Sequence, residues 1–268
     1  MRTSRRVRIS LRVVALAYLA VLLLVPVGLV FYRTVEPGLG SVYDSVTTPA
    51  AIHAFWLTLT ITAIAVPLNT VLGIITAIVL VRGRFRGKAI VEAIIDLPFA
   101  ISPVVVGLAL IFVYGRTGWF GNELADAGIQ VIFSLPGMVL ATIFVCLPFV
   151  VREVSPVLRE IGDEQEQAAA TLGASGWQTF WRITLPSIRW GVAYGVVLST
   201  ARAVGEFGAV SVVSGKIAGE TETLTLLVEK RFQNFDLAGA YAASALLAVI
   251  AVATLLTMTL LKPRKEAA

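Results

Sequence analysis

Six long apolar stretches, separated by shorter polar segments, organise the chain. Each reaches the roughly 20 residues that a helix needs to cross the hydrocarbon core of a bilayer. This pattern predicts an all-α integral membrane protein with six transmembrane helices. The stretches lie at about 13–32, 55–81, 90–115, 132–151, 188–213 and 238–261.

Two of these stretches contain residues that change how a helix packs. The third holds Pro98 and Pro103, and each proline removes a backbone hydrogen bond that a neighbour or a wet cavity has to replace. A kink packed by neighbouring helices is the simpler interpretation. The alternative is a break that lines a transport path, with Ser102 and Pro103 as candidates. The fifth stretch begins with Gly191 and Gly195, a spacing that allows close helix approach.

The composition agrees with a membrane protein and leaves little room for a metal site. Hydrophobic residues make up 57% of the chain and charged residues 15%, whereas soluble domains carry about a quarter charged residues. Cys146 is the only cysteine and His53 the only histidine, so the sequence predicts no disulfide within the chain and no metal site.

The basic residues predict the orientation of the spans. Residues 1–12 carry five arginines and no acid, the segment 82–88 reads RGRFRGK, and the tail 262–268 is also basic. Because Lys and Arg are enriched in cytoplasmic loops, we expect both termini and the loops 82–88 and 152–187 to face the cytoplasm. The net charge of +5 sits at these flanks, so we expect no nucleic-acid partner.

The long loop 152–187 contains a polar, alanine-rich segment that predicts two short helices. Asp163 is a candidate N-cap with Glu166 three residues on, as in a capping box, and Glu164 adds negative charge at the helix start. Gly173 suits the left-handed position that ends a helix. Ser175 is a candidate cap for the second helix.

The second predicted helix carries an aromatic face and ends at Pro186. Trp177, Phe180, Trp181 and Ile183 form this face. An acidic, small-residue helix beside aromatic side chains fits a groove on a protein better than an anionic leaflet. The loop is therefore predicted to contact a protein partner.

The stretch QAAATLGASGWQTFWRITLP resembles the EAA loop of ABC importer permeases. That family's pattern is Glu-Ala-Ala, a Gly four positions later, nine residues, and Ile-x-Leu-Pro. Gln167 stands where the family usually has Glu, so a charge contact at that position would shift to Glu166. The matching residues are Ala168, Ala169, Gly173, Ile183, Leu185 and Pro186.

Three further stretches, SPVVVGLAL, ARAVGEFGAVSVVSG and VEKRFQNFDLAGAYAASALLA, resemble the CysW-type branch of that family, the sulfate and thiosulfate permease subunits. The resemblance implies a type I ABC importer permease fold in the bacterial cytoplasmic membrane. Its domains would be a basic cytoplasmic N-terminus (1–12), a six-helix permease domain (13–261) and a cytoplasmic tail (262–268). The coupling helices of the 152–187 loop would sit in clefts of ATPase subunits.

The same resemblance implies the partners of the chain. They are a second, CysT-like permease subunit in a heterodimer, two CysA-like ATPase subunits and an external sulfate-binding protein. The implied ATPase-coupling residues are Asp163, Glu164, Glu166, Gln167, Ala168, Ala169, Gly173, Ile183, Leu185 and Pro186.

The chain lacks the sequence of an ATP-binding loop, so we expect it to be non-catalytic. Its nearest match, GRFRGKA at 83–89, is one residue short between the glycines and has Ala89 where a hydroxyl is required. No cofactor is expected in this chain, and ATP with Mg would bind the partner ATPase.

Arg202 and Glu206 are the most deeply placed charges in the predicted spans. An unpaired charge at the middle of the membrane costs about 2.5–3.5 kcal/mol, and the i,i+4 spacing allows the two to neutralise each other. A structural ion pair is one interpretation. A gate or anion path that includes Ser199 and Thr200 is the other. Glu92 and Asp96 are expected on a solvated face.

Three alternatives differ in cargo or in class. The same machine could carry molybdate or tungstate, which are also tetrahedral dianions. An ion-coupled anion carrier would require more acidic groups in mid-span and gives no reason for the 152–187 loop. A membrane enzyme is the weakest reading, because no HExxH or GxSxG motif is present.

A last segment, 216–236, places Leu224, Leu227, Val228 and Phe232 at helical spacing. It is expected to pack on the mouth of the bundle, with contact to an external binding protein as the alternative.

Overall fold

Helices form almost the whole of the described chain. The computed structural model describes the backbone of residues 5–261 and the side chains of residues 9–257, and no strand occurs in this part. The prediction of an all-α membrane protein is confirmed. The predicted tail 262–268 and the first residues of the predicted N-terminal segment lie outside the described residues.

The first apolar stretch forms one long helix in three parts: α1 (Arg5–Leu19), a π-helical turn (Ala20–Leu24) and α2 (Val25–Val35). It lies at the periphery, with nearly all of its side chains exposed. One polar contact joins it to the bundle, because the buried Thr34 hydroxyl donates to the carbonyl of Tyr241 at 3.0 Å.

The next helices are α3 (Leu39–Val46) and α4 (Pro49–Arg82), followed by α5 (Lys88–Ala100) and α6 (Pro103–Tyr114). The axes of α5 and α6 differ by 113°, and the break between them falls immediately before Pro103. Proline disfavours helical backbone in the residue before it, which explains the position of the break.

The second half of the chain begins with α7 (Gly121–Asp126) and α8 (Leu135–Ile161). The loop after α8 contains α9 (Glu164–Thr171), α10 (Gly176–Thr179) and a π-helical turn. The last helices are α11 (Leu185–Val204), α12 (Val210–Val213), α13 (Leu224–Gln233) and α14 (Leu237–Leu261).

Four helices of the described chain are long and apolar enough to cross a membrane, and the bent α5–α6 pair adds a fifth if its two parts count as one span. The fifth predicted stretch, 188–213, stays a prediction as a span, because α11 ends at Val204 and the chain bends before α12. The four helices are Ile9–Val35, Pro49–Arg82, Leu135–Ile161 and Leu237–Thr257.

Helix α8 is the centre of the bundle and packs most extensively against α4 and α11. Met138 near its start and Leu158 near its end belong to two separate clusters of buried side chains. Ile95 of α5 packs in the cluster of Leu158, while Tyr114 of α6 packs against that of Met138. The bent pair therefore runs from one end of the bundle to the other, as one broken span.

Glycines let the three central helices approach closely. A Cβ at Gly73 of α4 would lie 2.6 Å from the Cβ of Val150, and one at Gly195 of α11 would lie 2.9 Å from its Cα. A Cβ at Gly191 would lie 3.0 Å from the carbonyl oxygen of Glu153. The close approach predicted from the Gly191 and Gly195 spacing is confirmed.

Helix α13 packs on the end of the bundle opposite the 152–187 loop, as predicted. Leu224 and Leu227 are buried, and the N–H of Leu224 donates to the Thr58 hydroxyl of α4 at 3.0 Å. The expectation that Phe232 shares this face is wrong. Its side chain is exposed and Leu226 is buried instead, because α13 lies among α4 and α14 and buries a different stripe.

Gly195→Ala is expected to lower the melting temperature of the purified protein in detergent. Its Cβ would meet backbone atoms of α8, so the helices have to separate, which costs about 1–3 kcal/mol. Gly28→Ala in α2 is the control, since a Cβ there meets nothing within 4 Å. Equal melting temperatures for the two variants would contradict the packing.

Candidate functional site

The turn between α9 and α10 is closed by backbone hydrogen bonds that require a left-handed residue. Gly173 has φ +84°, its N–H donates to the carbonyl of Ala170, and the N–H of Ala174 donates to the carbonyl of Ala169, both at 3.0 Å. These two bonds form a Schellman motif, which commonly has glycine at this position. The predicted end of the first helix at Gly173 is confirmed.

A capping box starts the helix that follows. The Ser175 hydroxyl accepts from the N–H of Gln178 at 3.3 Å, and the Gln178 side chain accepts from the N–H of Ser175 at 2.9 Å. Ser175 is the N-cap, as predicted. The two ends of the turn are therefore both held by local hydrogen bonds.

The prediction that Pro186 ends a second short helix is wrong. The helix continues from α10 through a π-helical turn, Phe180–Thr184, into α11. Pro186 lacks an N–H and leaves a carbonyl one turn earlier unpaired, and a locally wider turn accommodates this loss. The same arrangement occurs before Pro26, where the π-helical turn Ala20–Leu24 precedes α2. The loop is thus continuous with the membrane helix.

The Glu166 carboxylate lies in an internal contact and does not complete a capping box with Asp163. Asp163 is the N-cap by position, but its side chain makes no capping hydrogen bond. Instead, Arg82 Nε at the end of α4 donates to Glu166 Oε2 at 2.9 Å, and the buried Thr184 hydroxyl donates to Oε1 at 2.8 Å. The capping-box prediction fails because these partners come from distant parts of the chain.

Arg82 also closes the end of α8. Its guanidinium donates to the carbonyl of Leu158 at 3.1 Å and to the carbonyl of Gly162. The last carbonyls of a helix have no partner within the helix, so these bonds satisfy groups that otherwise require water. Arg82 and Thr184 were missed by the sequence analysis. Arg82 was read only as part of the basic segment 82–88.

The tip of the loop presents small and apolar side chains to solvent. Gln167 and Ala168 are exposed, and Leu172 is 89% exposed. Beside them, Trp177 is 70% exposed and stacks on Phe180 with ring centroids 6.2 Å apart. The exposed acids Asp163 and Glu164 flank this surface. An apolar tip of this kind is a ready contact for a protein partner.

The remaining candidate residues of the loop lie at its base. Leu185 packs against the cluster that contains Leu158 and Ile188. The carbonyl of Ile183 accepts from the Ser187 hydroxyl at 2.7 Å. Leu185 therefore anchors the loop to the bundle, while Ile183 is half-buried and Pro186 exposed at the base of the loop.

The predicted ion pair of Arg202 and Glu206 is present, with 2.5 Å between Arg202 Nη1 and Glu206 Oε2. Glu206 lies beyond the end of α11, so the two side chains meet at a break and not on one helical face. The Glu206 side chain is only 1% exposed. Its Oε1 accepts from the N–H of Ala209 at 2.8 Å, and its carbonyl accepts from the Thr225 hydroxyl at 2.9 Å.

The break after α11 meets the break between α5 and α6. A Cβ at Gly208 would lie 2.8 Å from the Cβ of Pro103, so the two irregular segments pack directly together. This packing supports the simpler interpretation of the third stretch, a break held by its neighbours. Ser102, the N-cap of α6, is exposed and makes no side-chain capping bond.

The other two candidate path residues lie further back along α11. Ser199 is fully buried, and its hydroxyl has no hydrogen-bond partner among the described residues. Thr200 donates to the carbonyl of Val196 at 2.8 Å. The structure therefore places Pro103, Arg202 and Glu206 around the breaks, with Ser199 and Thr200 on the preceding turn.

The acids at the start of the third stretch are paired. Glu92 and Asp96 are partly exposed, in line with a solvated face, and they contact Arg159 and Arg152 of α8. The two ion pairs measure 3.2 Å for Glu92 and 2.5 Å for Asp96. They join α5 to α8 at the same end of the bundle as the 152–187 loop.

Comparison with known proteins gives one family match and a set of similar chains. Residues 69–267 match the family described as binding-protein-dependent transport system inner membrane component. The sulfate transport system permease protein CysW of Synechocystis is 50% identical, with 97% of this chain and 94% of that protein covered. The sulfate transport system permease protein CysT of the same organism is 39% identical, over 93% and 87%.

Two solved structures share the fold. One is a bacterial ABC transporter involved in the import of the acidic polysaccharide alginate, with a TM-score of 0.80 over 97% of this chain and 96% of that one. The other is the bacterial alginate ABC transporter in complex with an alginate pentasaccharide-bound periplasmic protein, with a TM-score of 0.77 over 96% and 94%. Both are 19% identical to this chain, so the likeness concerns the fold alone.

Proposed function

This chain belongs to the family of binding-protein-dependent transport system inner membrane components, and we propose that it is the permease subunit of an ATP-driven importer of sulfate. The assignment of sulfate as the substrate rests on the 50% identity to a sulfate permease over nearly the full length of both chains. Thiosulfate is included, because the sequence resembles the sulfate and thiosulfate branch of the family. Family membership sets aside the alternative of an ion-coupled carrier.

The chain itself is non-catalytic, and its proposed coupling site is the 152–187 loop. The exposed tip of Ala168, Leu172 and Trp177 would enter a cleft of one of the two ATPase subunits, which bind ATP and Mg. Since the loop continues as one helix into α11, a displacement of the tip would reach the membrane directly. Closure of the ATPase subunits would then open the permease alternately to each side.

The remaining proposed partners are a second permease subunit and an external binding protein. The similarity to a CysT chain supports a heterodimer of related permeases, and the family description includes a binding protein. The proposed location is the bacterial inner membrane, with both termini cytoplasmic. Contact of Arg82 with Gly162 supports this orientation, because it puts the basic segment 82–88 beside the coupling loop.

The breaks around Arg202 form the proposed gate of the anion path. A guanidinium and nearby hydroxyls are suitable donors for sulfate, while the paired Glu206 opposes tight anion binding. This arrangement favours brief passage of the anion over a site at which the anion stays bound. Ser102, Pro103, Ser199 and Thr200 complete the proposed path.

Cells that lack their own permease chain are expected to take up labelled sulfate when this chain is expressed with its partner subunits. Excess molybdate should leave that uptake unchanged, since a sulfate permease is 50% identical to this chain. Rescue of molybdate uptake without sulfate uptake would agree with an ATP-driven importer but refute sulfate as its substrate. The absence of any uptake by an assembled complex would refute the proposed function.

Gly173→Val is expected to reduce sulfate uptake at least severalfold in the same cells. A β-branched residue strains the left-handed backbone of the turn and shifts the tip. Gly176→Val is the matched control, because Gly176 begins α10 with no positive φ and open space around its Cβ. Equal uptake by both variants would argue against coupling through this loop.

Arg202→Ala is expected to abolish uptake, but it also leaves the buried Glu206 carboxylate unpaired, which destabilises proteins by about 3–5 kcal/mol. The double variant Arg202→Ala, Glu206→Gln removes both charges and keeps an acceptor for the N–H of Ala209. A gate role predicts no uptake by this assembled double variant. Restored uptake would assign the two residues a structural role only.

A further inference from the structure

Helix α9 is held in place almost entirely by polar contacts. None of its side chains is buried, so it has no apolar anchor in the bundle. Its Glu166 contacts Arg82 of α4 through Oε2 and Thr184 of the π-helical turn through Oε1. A single carboxylate therefore links α9 to two separate membrane helices.

Arg82 is the only one of these partners that reaches a third element. The same guanidinium that contacts Glu166 also donates to the carbonyls of Leu158 and Gly162 at the end of α8. About four-fifths of both side chains is removed from solvent, since 20% of the Arg82 side chain and 21% of the Glu166 side chain is exposed. Partial burial of a charge-assisted contact makes it stronger than an ion pair on the surface.

The other ion pairs near this end of the bundle are more exposed. In the Asp96–Arg152 pair, the exposed fractions are 39% for the aspartate and 57% for the arginine. That pair joins α5 to α8 and, among the described residues, makes no hydrogen bond or ion pair with α9 or the turn after it. It therefore serves as a matched comparison for the Arg82 contact.

We propose that Arg82 is a positioning residue for coupling, which transmits displacement of α9 to α4 and α8. Without it, α9 would keep its chain connections and the contact of Glu166 with Thr184, but no side-chain contact of Glu166 would tie it to α4 and, through the same guanidinium, to α8. The ATPase subunits would still close, but less of their movement would reach the central helices. This inference rests on the proposed ATP-driven import.

The test uses the complete importer in proteoliposomes and measures sulfate imported per ATP hydrolysed. Arg82→Gln is expected to keep ATP hydrolysis and to lower that ratio about tenfold, the size of effect that loss of a charge-assisted contact produces. Glu166→Gln, which leaves the α8 carbonyls bonded to Arg82, is expected to lower it less. Amide exchange in α9 should rise in both variants while α4 stays protected.

The controls are Arg152→Gln and Asp96→Asn, which break the exposed pair and should keep the wild-type ratio. An unchanged ratio in the Arg82→Gln importer, or an equal fall in the controls, would overturn the proposal. If the Arg82→Gln importer does not assemble, the Glu166→Gln importer tests the proposal. An unchanged ratio of sulfate imported to ATP hydrolysed in that variant would also overturn it. A wild-type importer that moves no sulfate with ATP would refute the proposed function instead.

Discussion

Backbone groups in a membrane protein have to be satisfied without water, and this requirement accounts for each irregular feature of the bundle. The third span breaks just before Pro103, and Gly208, in the break after α11, packs directly against Pro103. Two π-helical turns precede Pro26 and Pro186 and let each helix continue past its proline. The last carbonyls of α8 are satisfied by Arg82 of another helix. The two π-helical turns and the bonds from Arg82 thus reflect one physical constraint.

Close packing gives this arrangement its stiffness. Val150 of α8 fills the space left by Gly73 on one side and Gly195 on the other, so three helices form one unit. Trp177 of the exposed tip lies on the helix that continues into α11, one of these three helices, and Arg82 belongs to another. A force applied at the tip therefore meets a rigid body and not a flexible loop.

Charges in the described part of the bundle are placed where they meet a partner. Glu206 is buried beside Arg202 at the break, Glu166 is bound by Arg82, and the acids of α5 are bound by arginines of α8. The Arg82–Glu166 and Arg202–Glu206 pairs lie where chain segments change direction. They restrain the same places at which an alternating-access transporter has to move.

The helical membrane class, the positions of most spans, the Schellman turn at Gly173 and the cap at Ser175 could be predicted from the amino-acid sequence, because these features depend on local composition and short-range hydrogen bonds. The sequence also predicted the Arg202–Glu206 pair from spacing alone. The tertiary structure decided that Pro186 does not end its helix, that Glu166 faces Arg82 and Thr184, and that α13 buries Leu226 in place of Phe232. Those outcomes depend on which distant segments meet, and contacts between residues 84 positions apart leave no periodic trace in the chain.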